Sequence, residues 1–149
     1  MADKAKVNVQ IICVSPFVVP TIWDRIEHYI TDSVNEAPPG YYSLTDIQAA
    51  CLPPTPIYQV HVILVDGKIA GCLLSDIVPT HGVRLYRLCF LGGSDMESWI
   101  DALRDYVMHA AKQHACRYVE VVGRRGWGRA LKKFGIDYQL SLLVKEVEL

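Results

Sequence analysis

The sequence has little net charge, no long hydrophobic run and no apolar signal core behind its first residues. Its 15 lysines and arginines nearly balance 16 aspartates and glutamates, so no global field attracts nucleic acid or an anionic membrane. Its apolar stretches are far shorter than the roughly 18 residues that span a bilayer. We therefore expect a cytoplasmic protein that contacts no membrane and has little affinity for nucleic acid.

Closely spaced cysteines are also lacking. The five cysteines are odd in number, and the two nearest, Cys72 and Cys89, are 17 residues apart, whereas disulfide frameworks and cysteine zinc sites use short pairs. Four of the five lie in apolar runs, so we predict buried free thiols. His109 and His114 are five residues apart, which does not place two ligands on one metal, and we expect no metal site.

What is present is the composition of a folded domain. The chain has 149 residues, of which 51% are hydrophobic and 21% are charged. Such a chain can bury a proper core, which excludes a disordered protein. It contains no internal repeat, low-complexity tract or linker, so we expect a single domain over 1–149.

Hydrophobic periodicity in the first third of the chain predicts a strand and then two helices. The strand covers 7–14, the first helix runs from Thr21 to about Asn35, and Pro53-Pro54 stops the second. Each helix begins with a hydroxyl residue followed three positions later by an aspartate. This acidic form of the capping box occurs twice, as Thr21 with Asp24 and as Ser43 with Asp46.

The rest of the chain alternates strands and helices. Asp66-Gly67 is a strong two-residue hairpin signal between strands at 57–65 and 68–76. A turn at 79–82 leads into a third strand, 83–91, which Gly92-Gly93 should break. Ser94 and Glu97 form a capping box for a long helix. The remaining elements are a strand at 117–122, a short helix at 126–134 closed by Gly135, and a final strand at 138–144.

The element order, β-α-α-β-β-β-α-β-α-β, resembles that of the GNAT fold over nearly the whole chain. This is the fold of the acyl-CoA-dependent N-acyltransferases. Three segments carry the resemblance. They are VILVDGKIAGCLL from Val62, the strand from Val83 with its glycines and following helix, and ALKKFGI from Ala130 to Ile136. The resemblance implies a mixed α/β (α+β) fold with a mostly antiparallel sheet and helices on both faces.

The resemblance also implies an acetyl-CoA or CoA site at the third of these strands. The residues expected there are Cys89, Leu91, Gly92, Gly93 and Ser94. The family grips the pyrophosphate with backbone N–H groups in a Q/R-x-x-G-x-G/A loop before the helix. Here the loop positions hold 95–100, which lack both glycines, contain the bulky Trp99, and carry acidic side chains that would repel phosphate.

The family's general acid is missing as well. Leu131 stands where many members have a tyrosine that protonates the leaving thiolate, and a leucine has no proton to donate. Glu120 is the best remaining general base, and Tyr138 is a second catalytic candidate, although it reads more readily as a core aromatic. His61 lies in an apolar strand and is expected to be a hydrogen-bonded strand residue rather than a base.

A basic stretch at 112–133 contains seven lysines and arginines and one acid, with Trp127 among them. It could hold phosphate, an acidic partner or single-stranded nucleic acid. A solvated helix face followed by an arginine-rich turn explains the same residues, and we favour that interpretation.

These observations predict a divergent GNAT-fold protein that is a non-catalytic binding or structural module. One alternative is an active N-acetyltransferase that binds acetyl-CoA through Gly92-Gly93 amides and transfers protons through water or Glu120. Another is binding of nucleic acid or an acidic partner through 112–133. The expected partner is a protein or a small acyl acceptor, and exposed sheet edges permit a homodimer. Small proteins with this resemblance occur in bacteriophages, which suggests a phage source and a location in the host cytoplasm or virion.

Overall fold

The computed structural model describes residues 6–121, 131–132, 135 and 145–147. Within these ranges the elements are β1 Val9–Val14, α1 Val19–Val34, α2 Leu44–Ala50, β2 Gln59–Val65, β3 Lys68–Pro79, β4 Arg84–Gly93, a 3₁₀ turn Met96–Ser98, α3 Ile100–Gln113 and β5 Tyr118–Val121. The first eight predicted elements are therefore present in the predicted order. Most of the predicted helix at 126–134 and all of the predicted strand at 138–144 lie outside the described residues.

The strands form one sheet in the order β1-β2-β3-β4-β5. The first four strands are antiparallel neighbours, and β5 pairs with β4 in parallel after the crossover through α3. This confirms the predicted mixed, mostly antiparallel sheet. In the part of the chain described, no helix combines the length and the apolar character needed to cross a membrane.

Helices cover both faces of the sheet, as predicted. On one face, called here the α1/α2 face, α1 and α2 pack over a core that includes Trp23, Ile26 and Phe90. On the opposite α3 face, the core is built around Trp99 and Leu103. Alternate residues of the central strands supply the two cores, which is why these strands read as continuous apolar runs.

The Asp66-Gly67 hairpin has the predicted turn. Both residues have positive φ, 50° and 78°, which is the type I′ geometry that matches the twist of the flanking strands. The turn also fixes β1, because the Asp66 backbone N–H donates to the Asn8 carbonyl at 2.8 Å and the Asp66 carboxylate accepts from the Asn8 N–H at 3.1 Å.

Of the three predicted N-terminal helix caps, only the one at Ser43 is confirmed. Its hydroxyl accepts the Asp46 N–H at 3.3 Å and α2 follows directly. The cap at Thr21 is wrong, because α1 already begins at Val19 with Val18 as its N-cap and no side-chain bond. Pro20 lies in the first turn, where its fixed φ starts the helix and its missing N–H costs nothing.

The predicted end of β4 and start of α3 are also wrong. Gly92 and Gly93 do not break the strand but are its last two residues. Asp95 then takes a left-handed conformation with φ 53°, and α3 starts only at Ile100, with Trp99 as N-cap. The packing of Trp99 replaces the expected Ser94 cap, since its fully buried side chain donates the indole N–H to the Ser94 carbonyl at 2.8 Å.

Gly92 allows the backbone of α1 to lie directly against the backbone of β4. A Cβ at Gly92 would collide with the carbonyl oxygen of Tyr29 and would lie 3.0 Å from its carbonyl carbon. Both obstacles are main-chain atoms, which cannot move aside as the end of a side chain can. The glycine is therefore a requirement of helix-on-sheet packing.

We expect Gly92→Ala to lower the free energy of unfolding by about 2–4 kcal/mol, because the methyl group forces two backbones apart. Gly82→Ala is the comparison. No atom lies within 4 Å of a Cβ there, so only the positive φ opposes the change, at about 1 kcal/mol. Urea unfolding of both variants measures the difference, and equal losses would contradict the packing argument.

Candidate functional site

The C-terminal half of β4 continues beyond the described strand that pairs with it. The β5 register covers Leu85 to Leu88 of β4, whereas β4 runs on to Gly93. The segment beyond Leu88 holds every predicted cofactor residue of this strand, with Ser94 directly after it. No described strand pairs with its outer side, and this segment from Cys89 to Gly93 is called here the opening of β4.

A β-bulge lies at the start of this opening. Leu74 pairs with Phe90, but the next β3 residue, Ser75, pairs with Leu88, so Cys89 is an extra residue on β4. Cys89 and Phe90 both pack against the core of the α1/α2 face, as expected when a bulge interrupts the alternation of side chains. The bulge thus directs the Cys89 thiol toward the α1/α2 face.

At the two glycines that end β4, other protein atoms occupy the space where a side chain would lie. At Gly92 the neighbour is the Tyr29 main chain, as described above. A Cβ at Gly93 would lie 2.7 Å from the Trp99 ring and 2.8 Å from the Ala70 carbonyl oxygen. Their lack of side chains therefore accommodates α1, β3 and Trp99.

Two backbone groups at this end of β4 are bonded within the protein. The Ser94 N–H donates to the Ala70 carbonyl at 2.8 Å, so the backbone groups of Ser94 point toward β3. Backbone groups alternate in direction along a strand, so those of Leu91, three residues earlier, point to the outer side of β4, away from β3. Its carbonyl there accepts a hydrogen bond from the Ser33 hydroxyl of α1 at 3.0 Å.

No protein-family model matches this sequence, and no curated protein matches it. Solved structures do. An aminoglycoside acetyltransferase from an uncultured soil metagenomic sample superposes with a TM-score of 0.68 at 13% identity, covering 95% of this chain and 99% of that one. A ribosomal-protein-alanine N-acetyltransferase from Brucella melitensis gives 0.66 at 11% identity, covering 94% and 100%. An integron cassette protein from the mobile metagenome of V. cholerae gives 0.66 at 14% identity, covering 94% and 92%.

The chain has the GNAT fold. Proteins with this fold typically use acetyl-CoA, and the family's pyrophosphate contacts would fall at the turn after β4. The residues at this turn do not fit a phosphate cradle. The glycines are packed against protein atoms and the Ser94 N–H has an internal acceptor. Asp95 and Glu97 are exposed in the turn itself, where their charge repels an anion.

A polar cluster that the sequence did not predict lies beside the bulge. The Arg87 guanidinium donates from Nε and Nη2 to the two carboxylate oxygens of Asp76, at 2.9 and 2.7 Å. The Cys89 thiol donates to the same carboxylate at 3.2 Å. The Asp76 side chain is 11% exposed and that of Arg87 is 35% exposed, so the pair lies at the edge of solvent.

Burial, together with the bond to Asp76, raises the pKa of the Cys89 thiol to about 12. The thiol therefore stays protonated at neutral pH and is a poor nucleophile. Asp76 already accepts from Arg87 and Cys89. Asp76, Cys89 and Arg87 thus form a bonded cluster of three side chains that does not supply a ready base.

Aromatic rings surround this polar cluster on the α1/α2 face. Tyr42 and Tyr58 each pack edge-on against Phe90, with ring centroids 5.1 and 5.9 Å apart. Burial raises the pKa of both tyrosines, so their hydroxyls remain protonated. The opening of β4 is lined on this face by a neutral, largely aromatic surface.

The two predicted catalytic residues have different outcomes. Glu120 on β5 is the register partner of Arg87 and is partly exposed, and no described residue bonds to its carboxylate. It therefore lies next to the polar cluster, and its role as a base stays a prediction. Tyr138 is outside the described residues. Leu131, at the position of the family's tyrosine, is 5% exposed and packs in the core of the α3 face.

The other sequence predictions concern cysteine, metal and charge. All five cysteines are free, but only Cys51 and Cys72 are buried and Cys13 is exposed, so the prediction of buried thiols holds only in part. Within the described ranges no group of three metal-ligating side chains exists. Four of the seven basic residues in the stretch 112–133 lie outside the described residues, so its proposed role stays a prediction.

The prediction for His61 is confirmed. It is 2% exposed, with Nδ1 2.8 Å from the Tyr106 hydroxyl and Nε2 2.8 Å from the Ser75 hydroxyl. Ser75 is in turn 3.2 Å from the Tyr86 hydroxyl. These four side chains, named here the buried polar chain, join β2, β3, β4 and α3 inside the core of the α3 face. Burial lowers the pKa of His61 to about 4.

We expect stability to fall as the pH drops from about 6.5 to about 4, by up to roughly 3 kcal/mol. In this window the unfolded chain protonates His61 and the folded chain does not. His61→Gln should lose this contribution to the pH dependence, while the exposed His81→Gln should keep it. Urea unfolding at several pH values measures both, and parallel curves for wild type and His61→Gln would refute the assignment.

Proposed function

We propose that this chain is a GNAT-fold binding or structural module that does not carry out acetyl-CoA chemistry. The observation that carries the proposal is the internal use of the opening of β4. The Leu91 carbonyl accepts from Ser33, the Ser94 N–H donates to Ala70, and Gly92 is packed against the main chain of α1. The Leu91 carbonyl and the Ser94 N–H are thus bonded within the protein, and the space beside Gly92 is filled by protein atoms.

Charge and proton chemistry support the same proposal. The turn after β4 presents Asp95 and Glu97 where the fold's cofactor would place its pyrophosphate. The position of the family's general acid holds the buried Leu131. The Asp76 carboxylate accepts from both Arg87 and Cys89, so neither Asp76 nor Cys89 stands ready to transfer a proton.

An active N-acetyltransferase is the second candidate, and the opening itself favours it. The described pairing of β4 with β5 ends at Leu88, and the bulge at Cys89 follows directly. Two of the structures that superpose on the chain are an aminoglycoside acetyltransferase and a ribosomal-protein-alanine N-acetyltransferase. In this case Glu120 would serve as the base toward a small amine acceptor, and its partly exposed carboxylate beside Arg87 is suitably located.

Isothermal titration with acetyl-CoA and with free CoA distinguishes the two candidates. We expect no heat of binding up to millimolar ligand and no thermal stabilisation. A binding protein would instead gain about 2.7 kcal/mol at a hundredfold excess of ligand over Kd. Micromolar binding would contradict the proposal and support the acetyltransferase. Glu120→Gln should then reduce turnover while leaving the Kd for CoA unchanged.

A further inference from the structure

Within the described residues, the edge strand β1 lacks the charge, proline and bulge that often keep a sheet edge from pairing. It pairs only with β2 among the described residues. Its sequence, VQIICV, contains no charge and no proline, and its register with β2 is continuous without a bulge. Natural edge strands normally carry at least one of these devices, because an open edge is a template for another strand.

The hydrogen bonds at the Asp66 turn fix the direction of the backbone groups along β1. The Asn8 carbonyl accepts from the Asp66 N–H, so Asn8 faces β2, and Gln10, Ile12 and Val14 follow it by alternation. The groups that point outward belong to Val9, Ile11 and Cys13. The register agrees with this assignment. Val65 pairs with Lys68 across the hairpin, so its backbone N–H and carbonyl point toward β3 and leave those of Val9, the residue opposite it on β1, pointing outward.

The three residues whose backbone groups point outward, Val9, Ile11 and Cys13, are spaced symmetrically about Ile11. We propose that the edge of β1 is an interface for a second copy of this chain, paired antiparallel about a two-fold axis at Ile11. In this register Val9 lies opposite the partner's Cys13, and Ile11 lies opposite the partner's Ile11. All three outward N–H groups and all three outward carbonyls of each copy then find partners across the axis.

Side chains on both faces suit the same register. On the α3 face, Val9 and Ile11 are only partly buried in the monomer and would extend the apolar surface across the axis. On the other face, Ile12 is 46% exposed and would lie against the partner's Gln10. Apolar β-branched residues in adjacent strands stabilise pairing, and no like charges oppose each other. This interface is independent of whether the opening of β4 binds acetyl-CoA.

Sedimentation velocity over a concentration series tests the proposal. We expect a reversible dimer for the wild type. Ile12→Lys places a charge on the exposed face of the edge and should raise the dimer Kd at least about tenfold, since edge lysines prevent strand pairing. Met108→Lys is the matched control. Met108 is 40% exposed and lies beside Leu88 and Val119, away from β1, so this variant should remain dimeric.

Disulfide trapping tests the register. Opposed residues in a hydrogen-bonded pair have Cα atoms about 5.5 Å apart, within the range of a disulfide. Val9→Cys should therefore form a bond to the partner's Cys13 under mild oxidation, identified by mass spectrometry of the linked peptides. Gln10→Cys, whose side chain is on the other face, should give no such bond to Cys13.

Hydrogen exchange at Val9, Ile11 and Cys13 separates the remaining outcomes. In the dimer these amides should be protected, and Ile12→Lys should expose them. A monomer whose amides are protected would mean that another part of the same chain covers the edge. Unprotected amides in a monomer would mean that nothing does. Either result, or the same Kd for Ile12→Lys and Met108→Lys, overturns the proposal.

Discussion

The close contact between the main chains of α1 and β4 determines much of what surrounds it. A side chain at Gly92 would separate the two elements, so the glycine sets how near the last turns of α1 come to the sheet. That distance brings the Ser33 hydroxyl to the Leu91 carbonyl. The aromatic cluster around Phe90 and the core around Ile26 and Ile30 lie on the same face and depend on the same spacing.

The other face is held by a contact of the same kind. Gly93 leaves room for the Trp99 ring, and the Trp99 indole in turn fixes the Ser94 carbonyl. The end of β4 is therefore packed from α1 on one side and from the start of α3 on the other. In a fold whose usual cofactor approaches this strand, protein atoms thus occupy the space beside both glycines.

Much of the fold could be predicted from the sequence because its signals are local. Alternation located the strands, Asp66-Gly67 located the hairpin, and Ser43 located α2. The errors arose where a distant contact outweighed a local one, as when Trp99 packing displaced the Ser94 cap. The Asp76–Arg87 pair was missed because pairing depends on the turn between the strands. A turn at 79–82 would set Asp76 opposite Leu85, whereas the observed turn from Thr80 to Val83 sets it opposite Arg87.

The buried polar chain has a direction that its surroundings decide. A neutral histidine donates from one nitrogen and accepts at the other, so the hydroxyls on its two sides cannot both donate to it. Tyr86 is 1% exposed, and Ser75 is the acceptor in reach of its hydroxyl among the described residues. Ser75 must then donate to His61, which donates from Nδ1 to Tyr106, the one residue of the four that is partly exposed. One proton on one ring thus orients bonds in four elements, and substitutions along the chain should be strongly non-additive.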